Sequence, residues 1–265
     1  MVVDKLGPYD LGRIYQGDCL ELMKAIPAGG VDIVMTSPPY NTLPKSATAS
    51  GLHAERKSGK NLWMDKAAGS YFDSLPEDEY QRWMVEVFTD ARRVAKGIVW
   101  INHKVRYRDG EAVHPARIFP FPIWCEVIWD RGGSMALNCR KFSPSHECIL
   151  GFGRPHFWDN SVNMLMSIWR INHDRGADSH PCAYPLEIPR RPILASCPPG
   201  GIVLDPFAGS GTTGVACAKM GRRFLGFELD QKWVDLGNDR IKAQEKDMDV
   251  DELRAGQTSL LELIE

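Results

Sequence analysis

The chain has 265 residues, of which 43% are hydrophobic, and a formal net charge of −2 at pH 7. This length allows one large domain with a full hydrophobic core and no need of stabilising disulfides. The small net charge excludes a uniformly basic chain, but local patches rather than the total decide whether a protein binds nucleic acid.

Seven cysteines are scattered without a Cys-x-x-Cys pair. This pattern argues against a zinc site of regular spacing and favours a reduced compartment. The histidines also lack metal-ligand spacing, so we expect no metal. The N-terminus does not resemble a signal peptide, and no apolar run approaches ~18 residues. We therefore expect a soluble, cytoplasmic protein without a membrane partner.

The first elements follow a strand–helix–strand pattern, which is typical of a parallel α/β sheet. A strand begins at Arg13 and ends at a glycine turn beside Asp18. A short helix follows and stops before Pro27, and residues 31–35 form a buried, β-branched strand. Asp18 has two equally supported roles, as a ligand contact at a strand end or as the N-cap of the helix.

The segment Ser37-Pro38-Pro39-Tyr40 ends the strand at residues 31–35. Neither proline can continue a sheet ladder, because each has a fixed φ and no N–H. The pattern predicts a rigid turn at the carboxyl end of a strand, where open α/β sheets bind ligands. The alternative is that the prolines only end the strand and Tyr40 packs below it.

Residues 42–73 are polar and basic, and they lack apolar periodicity. A loop of this length in a compact domain is functional or disordered. Beside a turn that binds a ligand, its basic residues favour contacts with the phosphates of a nucleic acid, and the alternative is a solvated loop without a partner. Its candidate phosphate contacts are Lys45, Arg56, Lys57 and Lys60.

A capping box from Ser74 to Glu77 predicts the start of a helix whose apolar stripe runs from Tyr80 to Val94. A buried strand is then expected at residues 98–101, and further strands are expected at residues 124–129 and 146–152. Residues 102–120 and 153–180 are expected to be irregular, and the latter is a second candidate for target recognition. Basic residues between the strands suit phosphate contacts, although each alone could be solvated surface. These are Lys104, Arg106, Arg140 and Lys141.

A glycine-rich motif begins where a strand at residues 201–205 ends in Asp205. A Gly-x-Gly-x-x-Gly turn follows and opens a helix at residues 212–219. The turn lacks the Gly-Lys-Ser/Thr ending of a P-loop, and Asp205 would repel a pyrophosphate. S-adenosylmethionine instead carries an ammonium and a sulfonium, which a carboxylate attracts. Glu228 ends the next strand and is placed to accept ribose hydroxyls, or alternatively to cap the helix that follows.

Together these motifs resemble S-adenosylmethionine-dependent methyltransferases that act on the exocyclic amino groups of DNA bases. The Ser-Pro-Pro-Tyr segment resembles their catalytic motif and lies ~165 residues before the cofactor motif, an order that resembles the family's β group. The resemblance covers residues 11–40 and 178–240 well. The cofactor motif comprises Asp205, Pro206, Phe207, Ala208, Gly209, Ser210, Gly211, Thr212 and Thr213, followed by Gly226, Phe227 and Glu228.

The resemblance implies a Rossmann-like α/β fold, with a mostly parallel twisted sheet, helices on both faces and inserted DNA-recognition loops. Residues 1–265 would form a single methyltransferase domain. Its catalytic half is expected at residues 11–152, its cofactor half at 181–245 and a C-terminal tail at 246–265. Candidate target-recognition segments are residues 42–73 and 153–180.

The resemblance also implies a reaction, in which a methyl group moves from S-adenosylmethionine to the amino group of a base flipped out of double-stranded DNA. Ser37 Oγ and the Pro38 carbonyl would accept the amino N–H groups, and the Tyr40 ring would stack on the base. Only the ring is needed for stacking, so Tyr40→Phe is expected to be nearly silent. The implied cofactor contacts are Asp18, Cys19, Tyr184 and Pro185, together with the motif residues from Asp205 to Thr213 and Glu228.

The resemblance favours adenine N6 as the target, with cytosine N4 as the alternative. Two other classes stay open from the residues themselves, a catalytically silent DNA-binding protein of the same fold and an NAD-dependent dehydrogenase. A role in restriction–modification is expected. The sequence leaves a homodimer open and does not indicate a nuclease partner.

Overall fold

An eight-stranded sheet organises the computed structural model, which describes residues 4–41, 75–108, 111–133, 142–172 and 184–247. The strands are β1 (Lys5–Leu6), β2 (Tyr9–Asp10), β3 (Arg13–Gln16), β4 (Ile33–Thr36), β5 (Val99–His103), β6 (Arg106–Arg108), β7 (Glu111–Val113), β8 (Ile123–Asp130), β9 (His146–Phe152), β10 (Ile168–Arg170), β11 (Ile202–Asp205) and β12 (Arg223–Glu228). The α-helices are α1 (Cys19–Met23), α2 (Glu77–Val94), α3 (Glu187–Ser196), α4 (Thr212–Lys219) and α5 (Gln231–Glu245).

The order of the large sheet is β10-β8-β9-β5-β4-β11-β12-β3. Every neighbouring pair is parallel except the two that involve β9, which runs antiparallel to β5 and β8. The short pairs β1–β2 and β6–β7 form separate antiparallel ribbons. The mostly parallel, Rossmann-like α/β sheet predicted from the sequence is confirmed.

A topological switch point lies between β4 and β11, which pair in parallel at the centre of the sheet. From β4 the chain continues to β5 on one side, and from β11 it continues to β12 on the other. Open α/β sheets bind ligands in the crevice at the carboxyl ends of such strands. The motifs that follow β4 and β11 therefore leave the sheet at the same edge.

Two hydrophobic clusters cover the two faces of the sheet. Val34 packs into the cluster that contains α1 and α2, whereas its neighbours Ile33 and Met35 pack into the cluster that contains α3 and α4. Alternate residues of a strand point to opposite faces, so this division shows that the central sheet is buried on both sides. The apolar stripe predicted for α2 is confirmed, because Tyr80 and Val94 at its ends are both buried.

The predicted capping box is wrong. Helix α2 begins at Glu77 with Pro76 as its N-cap, so Glu77 is the first helical residue rather than the third. Pro76 has extended backbone angles and no side-chain donor or acceptor, and the carboxylate of Glu77 binds Arg106 and Gln81 instead. Ser74 lies outside the described residues.

Other boundaries also differ from those predicted. The sequence predicts a helix near residues 191–197, after a Pro-rich loop. Helix α3 already begins at Glu187, since a proline is tolerated in a first helical turn. The regions expected to be irregular contain the β6–β7 hairpin and the edge strand β10, whose three residues are too few to show periodicity. No helix of the described residues is long and apolar enough to cross a membrane.

Candidate active site

The Ser-Pro-Pro-Tyr turn (residues 37–40) leaves the end of β4 and is held by hydrogen bonds from other elements. The Tyr80 hydroxyl of α2 donates to the Pro39 carbonyl at 2.7 Å. Arg108 of β6 donates to the carbonyl of Asn41, which has a left-handed φ of 52°. A residue in this conformation needs external support. The predicted rigid turn at the carboxyl end of a strand is therefore present.

A buried polar cluster contacts this turn from β5 and β9. The Tyr40 hydroxyl lies 2.6 Å from Ser37 Oγ and donates to Glu147 Oε2 at 3.1 Å. The side-chain amide of Asn102 donates to Tyr40 Oη and to Glu147 Oε2, both at 2.8 Å. Arg131 donates to the other oxygen of Glu147 at 3.1 Å. We name Ser37, Tyr40, Asn102, Glu147 and Arg131 the turn cluster.

Sequence reasoning missed Asn102 and Glu147. Both are buried within apolar strands, at 0% and 5% exposure. A polar residue at a buried strand position was the available signal, because buried polar groups require partners. The Oδ1 atom of Asn102 is buried and has no hydrogen-bond partner among the described residues.

The ring of Tyr40 also has neighbours. The centroid of its ring lies 4.8 Å from that of His103, and Lys104 Nζ lies 5.0 Å from the Tyr40 centroid. His103 is fully buried, and burial lowers its pKa to about 3. It is therefore neutral at pH 7, and one ring nitrogen contacts the Tyr80 hydroxyl at 2.8 Å. The alternative in which Tyr40 packs into the core does not hold, since its hydroxyl joins a polar cluster and its side chain is only partly buried.

The Gly-rich turn (residues 206–211) leaves the end of β11 beside the first turn. Asp205 is buried and accepts hydrogen bonds from Thr36 Oγ1 and Thr213 Oγ1, each at 2.6 Å, and from the Phe207 N–H at 3.1 Å. The bond to Thr36 joins the ends of β4 and β11 directly. The sequence predicts that Asp205 attracts the cofactor, and the contacts add that its carboxylate braces both turns.

Glu228 ends β12 and closes the other side of the Gly-rich turn. Its Oε2 accepts from the Gly209 N–H at 3.0 Å, and its Oε1 accepts from the N–H groups of Leu229 and Asp230. The N-cap of α5 is Asp230 rather than Glu228. Burial raises the pKa of Glu228.

Two glycines allow the turn to form. Gly209 and Gly211 have φ values of 50° and 79°, a region that favours glycine. A Cβ on Gly211 would lie 3.0 Å from Gly237 Cα of α5, whereas a Cβ on Gly209 would meet no atom within 4 Å. The turn therefore packs tightly against α5 at Gly211 and borders open space at Gly209, where a ligand could approach its backbone.

The remaining predicted cofactor residues lie around the same edge. The hydroxyl of Tyr184 is 2.6 Å from Thr213 Oγ1, next to Pro185. Asp18 accepts from the Leu20 N–H and is the N-cap of α1, which confirms one of its two predicted roles. Cys19 is buried in the first turn of that helix. Phe207 packs edge-on against Trp83 of α2 at 5.7 Å.

Arg106, predicted to contact DNA, is buried and bound to protein. Its guanidinium donates to both carboxylate oxygens of Glu77 at 2.7 Å, and its side chain is 1% exposed. Burial alone would raise the pKa of Glu77, but hydrogen bonds from Arg106 and Gln81 outweigh it and lower this pKa to about 2. Arg106 is therefore not available to phosphates, and this prediction is wrong.

Among the predicted DNA contacts, Lys104 is half-buried beside Tyr40. Six others lie outside the described residues, as does the whole segment 42–73: Lys45, Arg56, Lys57, Lys60, Arg140 and Lys141.

A cluster of potential metal ligands joins β8, β9 and the residue that follows β7. His114 Nε2 is 3.4 Å from Cys148 Sγ and 3.4 Å from Glu126 Oε1. His114 Nδ1 accepts from the Ala116 N–H, so the proton of a neutral ring is on Nε2. Hydrogen bonding accounts for this cluster, and a metal would need the Nε2 lone pair that the proton occupies.

The chemistry of the Gly-rich turn fits a cationic ligand. Asp205 and Glu228 end adjacent strands, and no described lysine or arginine forms an ion pair with either carboxylate. Burial raises the pKa of Asp205 to about 6. A ligand with an ammonium and a sulfonium would stabilise both carboxylates in their charged form.

Comparisons with known proteins agree with this geometry. Residues 31–239 match a family model described as DNA methylase, of the N6 and N4 amino-methyltransferases. The type II methyltransferase M.BglII of Bacillus subtilis is 27% identical over 85% of this chain and 68% of its own length.

Solved structures share the fold. PvuII DNA methyltransferase, described as cytosine-N4-specific, superposes with a TM-score of 0.67 at 18% identity, covering 91% of this chain and 89% of its own. Protein TTHA0409 of Thermus thermophilus, solved with S-adenosyl-L-methionine, has a TM-score of 0.60 at 22% identity, covering 88% and 93%. The family match spans most of the chain, and both sequence motifs lie within it. The chain therefore belongs to this family and is an S-adenosylmethionine-dependent DNA amino-methyltransferase.

Proposed function

We propose that this protein methylates the exocyclic amino nitrogen of a base that is flipped out of double-stranded DNA at a specific site. The observation that carries the proposal is the juxtaposition of the two turns. The Thr36–Asp205 hydrogen bond of 2.6 Å joins the Ser-Pro-Pro-Tyr turn to the Gly-rich turn at the switch point. An amine held by one turn would lie next to a cofactor held by the other, and such placement lowers a barrier by several kcal/mol.

The cofactor would be held by the Gly-rich turn and its neighbours. The backbone at Gly209 borders open space, and Glu228 would exchange one of its present N–H partners for ribose hydroxyls. The charge of Asp205 would favour the cationic cofactor through space, since its oxygens already accept three hydrogen bonds. Bound S-adenosylmethionine supplies the electrophilic methyl group.

The base would be held by the Ser-Pro-Pro-Tyr turn. The lone pair of an exocyclic amine is delocalised into the ring, so the nitrogen is a poor nucleophile. Two acceptors for its N–H groups, Ser37 Oγ and the Pro38 carbonyl, would localise this lone pair. The Tyr40 ring would stack on the base, an interaction worth roughly 1–3 kcal/mol in nucleic-acid complexes.

DNA would be bound and read by the basic residues near the site. Lys104 beside Tyr40 is the described candidate for a phosphate contact, and the segments at 42–73 and 153–180 are proposed for target recognition. We place the protein in the cytoplasm, where its DNA substrate would be found in a bacterium.

One experiment tests both the activity and the target. Genomic DNA from cells that express the chain is divided into two samples. One is digested to nucleosides to identify the modified base, and the other is sequenced with a method that detects modified bases. We expect N6-methyladenine, the commoner product in the family, at one recurring sequence. The serine at position 37 instead favours cytosine, and N4-methylcytosine would select that alternative. Unmodified DNA together with intact cofactor binding would favour the catalytically silent DNA-binding protein.

A further inference from the structure

The turn cluster contains two hydroxyl groups whose hydrogen-bond direction is not set by the pair alone. Ser37 Oγ and Tyr40 Oη lie 2.6 Å apart, and either oxygen can donate to the other. The direction matters for the site. If the hydrogen of the Ser37 hydroxyl points into the site, the hydroxyl acts there as a donor and is less able to accept a hydrogen bond from a bound amine. A third group must decide which oxygen donates.

Glu147 is that group. Its Oε2 lies 3.1 Å from Tyr40 Oη, and an ionised carboxylate only accepts hydrogen bonds. Arg131 forms an ion pair with the other oxygen at 3.1 Å. The single proton of Tyr40 is therefore directed to Glu147, and the proton of Ser37 is directed to Tyr40.

Asn102 supports the same direction. Its amide group has two hydrogens, and the two short contacts of 2.8 Å go to Glu147 Oε2 and to Tyr40 Oη. The carboxylate requires the nitrogen rather than the oxygen of the amide at this position, which fixes the amide orientation. The contact of Asn102 with Ser37 Oγ is longer, at 3.4 Å, and no amide hydrogen remains for it. The lone pairs of Ser37 Oγ consequently stay available.

We propose that Glu147, acting through the Tyr40 hydroxyl, is a positioning residue that keeps Ser37 Oγ a hydrogen-bond acceptor for the amino group of the target base. This inference rests on the proposed function, in which Ser37 accepts an amino N–H. It also replaces the sequence-based expectation that Tyr40→Phe is nearly silent, since the phenylalanine lacks the hydroxyl that links Ser37 to Glu147. The roles parallel those of a hydrogen-bonded carboxylate that fixes the tautomer of a catalytic histidine.

Glu147→Gln is the first test. A glutamine has one acceptor oxygen for the two donor-lined positions that the carboxylate fills, so its NH₂ group faces either Arg131 or Tyr40. In the second case Tyr40 must accept, and its proton turns to Ser37. We expect kcat to fall on the order of 10- to 100-fold, as for residues that orient metal ligands, with the KM for S-adenosylmethionine unchanged. Glu126→Gln on the neighbouring strand β8, with a side chain 41% exposed, is the matched control and should keep full activity.

A double-mutant cycle separates positioning from a structural effect. If Glu147 acts through the Tyr40 hydroxyl, Tyr40→Phe should lower kcat by a similar factor, and adding Glu147→Gln to it should cause little further loss. Losses that multiply in the double variant would overturn the proposal, as would wild-type kcat in Tyr40→Phe, which removes the hydroxyl whichever way residue 147 is turned. Tyr40→Phe keeps the ring and its packing, so it tests the hydroxyl even where Glu147→Gln fails to fold.

A readout without DNA or cofactor tests the hydrogen-bond chain alone. With 3-fluorotyrosine at position 40 of the full chain, the ¹⁹F resonance reports the hydrogen bonding of the neighbouring hydroxyl. We expect the resonance to shift in Glu147→Gln and to stay in place in Glu126→Gln. An unchanged resonance in both would overturn the proposal. Absence of any methyl transfer by the wild-type protein would instead refute the proposed function, so the two failures are distinguishable.

Discussion

The two turns at the switch point differ in how their carboxylates are neutralised. Around the Ser-Pro-Pro-Tyr turn, Glu147 pairs with Arg131 and Glu77 pairs with Arg106. At the Gly-rich turn, Asp205 accepts only hydroxyl and backbone N–H groups among the described residues. The two turns are nevertheless joined by a hydrogen bond and leave neighbouring strands.

This difference would suit the two ligands of the proposed function. An unneutralised carboxylate favours a cationic cofactor, because each charge stabilises the other in a site of low dielectric. A neutral amine instead requires hydrogen-bond acceptors without a strong net field. Neighbouring strand ends in one sheet therefore provide separate electrostatic environments, set by which side chains reach them from other elements.

The largest effect on the Gly-rich turn is expected from Asp205→Ala. This change leaves Thr36 Oγ1, Thr213 Oγ1 and the Phe207 N–H without their acceptor, and each orphaned buried donor costs about 1–3 kcal/mol. We expect a lower free energy of unfolding in urea and loss of S-adenosylmethionine binding by calorimetry. Asp205→Asn keeps one acceptor oxygen and should be intermediate. Lost binding with an unchanged free energy of unfolding would show that Asp205 contacts the cofactor directly and does not stabilise the two turns.

Arg106→Leu tests the neutralised side of the comparison. It leaves Glu77 without its bidentate partner, and we expect the free energy of unfolding to fall by about 2 kcal/mol. DNA affinity per folded molecule and its salt dependence should not change, because the guanidinium is buried. The control is Arg82→Leu on the same helix, whose ion pair with Asp78 is exposed and contributes ~0.5 kcal/mol or less. A flatter salt dependence in Arg106→Leu would restore its predicted role in DNA binding.

Glu228→Gln should weaken S-adenosylmethionine binding by ~1–3 kcal/mol, through the loss of charged hydrogen bonds to ribose and of negative charge. Isothermal calorimetry measures this directly. Asp235→Asn, on the exposed first turns of α5, removes the same charge outside the turn and should leave affinity unchanged. Equal affinity for wild type and Glu228→Gln would contradict the ribose assignment.

The smallest effect concerns pH. Burial raises the pKa of Asp205 to about 6, so the free protein holds a proton there at pH 5 that a cationic ligand must displace. We expect S-adenosylmethionine affinity to fall about 10-fold between pH 7 and pH 5, with proton release on binding at pH 5. Calorimetry in two buffers of different ionisation enthalpy counts the protons. Affinity that is constant over this range would contradict the assignment.

Stability should follow a different pH course from affinity. Because the pKa of Asp205 is raised on folding, its contribution to stability is largest below pH 4 and is lost as pH rises through about 6. The pKa of Glu77 is lowered to about 2, so its contribution is present above pH 4.5 and is lost as pH falls towards 2. The melting temperature of Arg106→Leu, measured from pH 2 to pH 7, should therefore lose the decrease towards pH 2 that Glu77 causes. It should keep the decrease through about pH 6 that Asp205 causes.

The motifs themselves were readable from the sequence, since each depends on residues that are adjacent in the chain. Two prolines after an apolar strand predict a turn at its end, and glycines after Asp205 predict a turn that opens a helix. Strand β11, helix α4 and the end of strand β12 were located to within one residue for the same reason. Short-range patterns failed where an element has three residues, as in β10, or where a polar residue interrupts a buried strand.

The sequence by itself determined the order of the motifs, the parallel α/β sheet and the family to which the chain belongs. Only the tertiary structure decided which side chains meet at the site. The Thr36–Asp205 bond joins residues 169 positions apart, and the Tyr40–Glu147 bond joins residues 107 positions apart. No local pattern encodes such pairs, because sheet order and strand register bring them together. For this reason the sequence alone favours Arg106 as a DNA contact, whereas the fold pairs it with Glu77. The pairing of β9 with β5 likewise brings Glu147 to Tyr40.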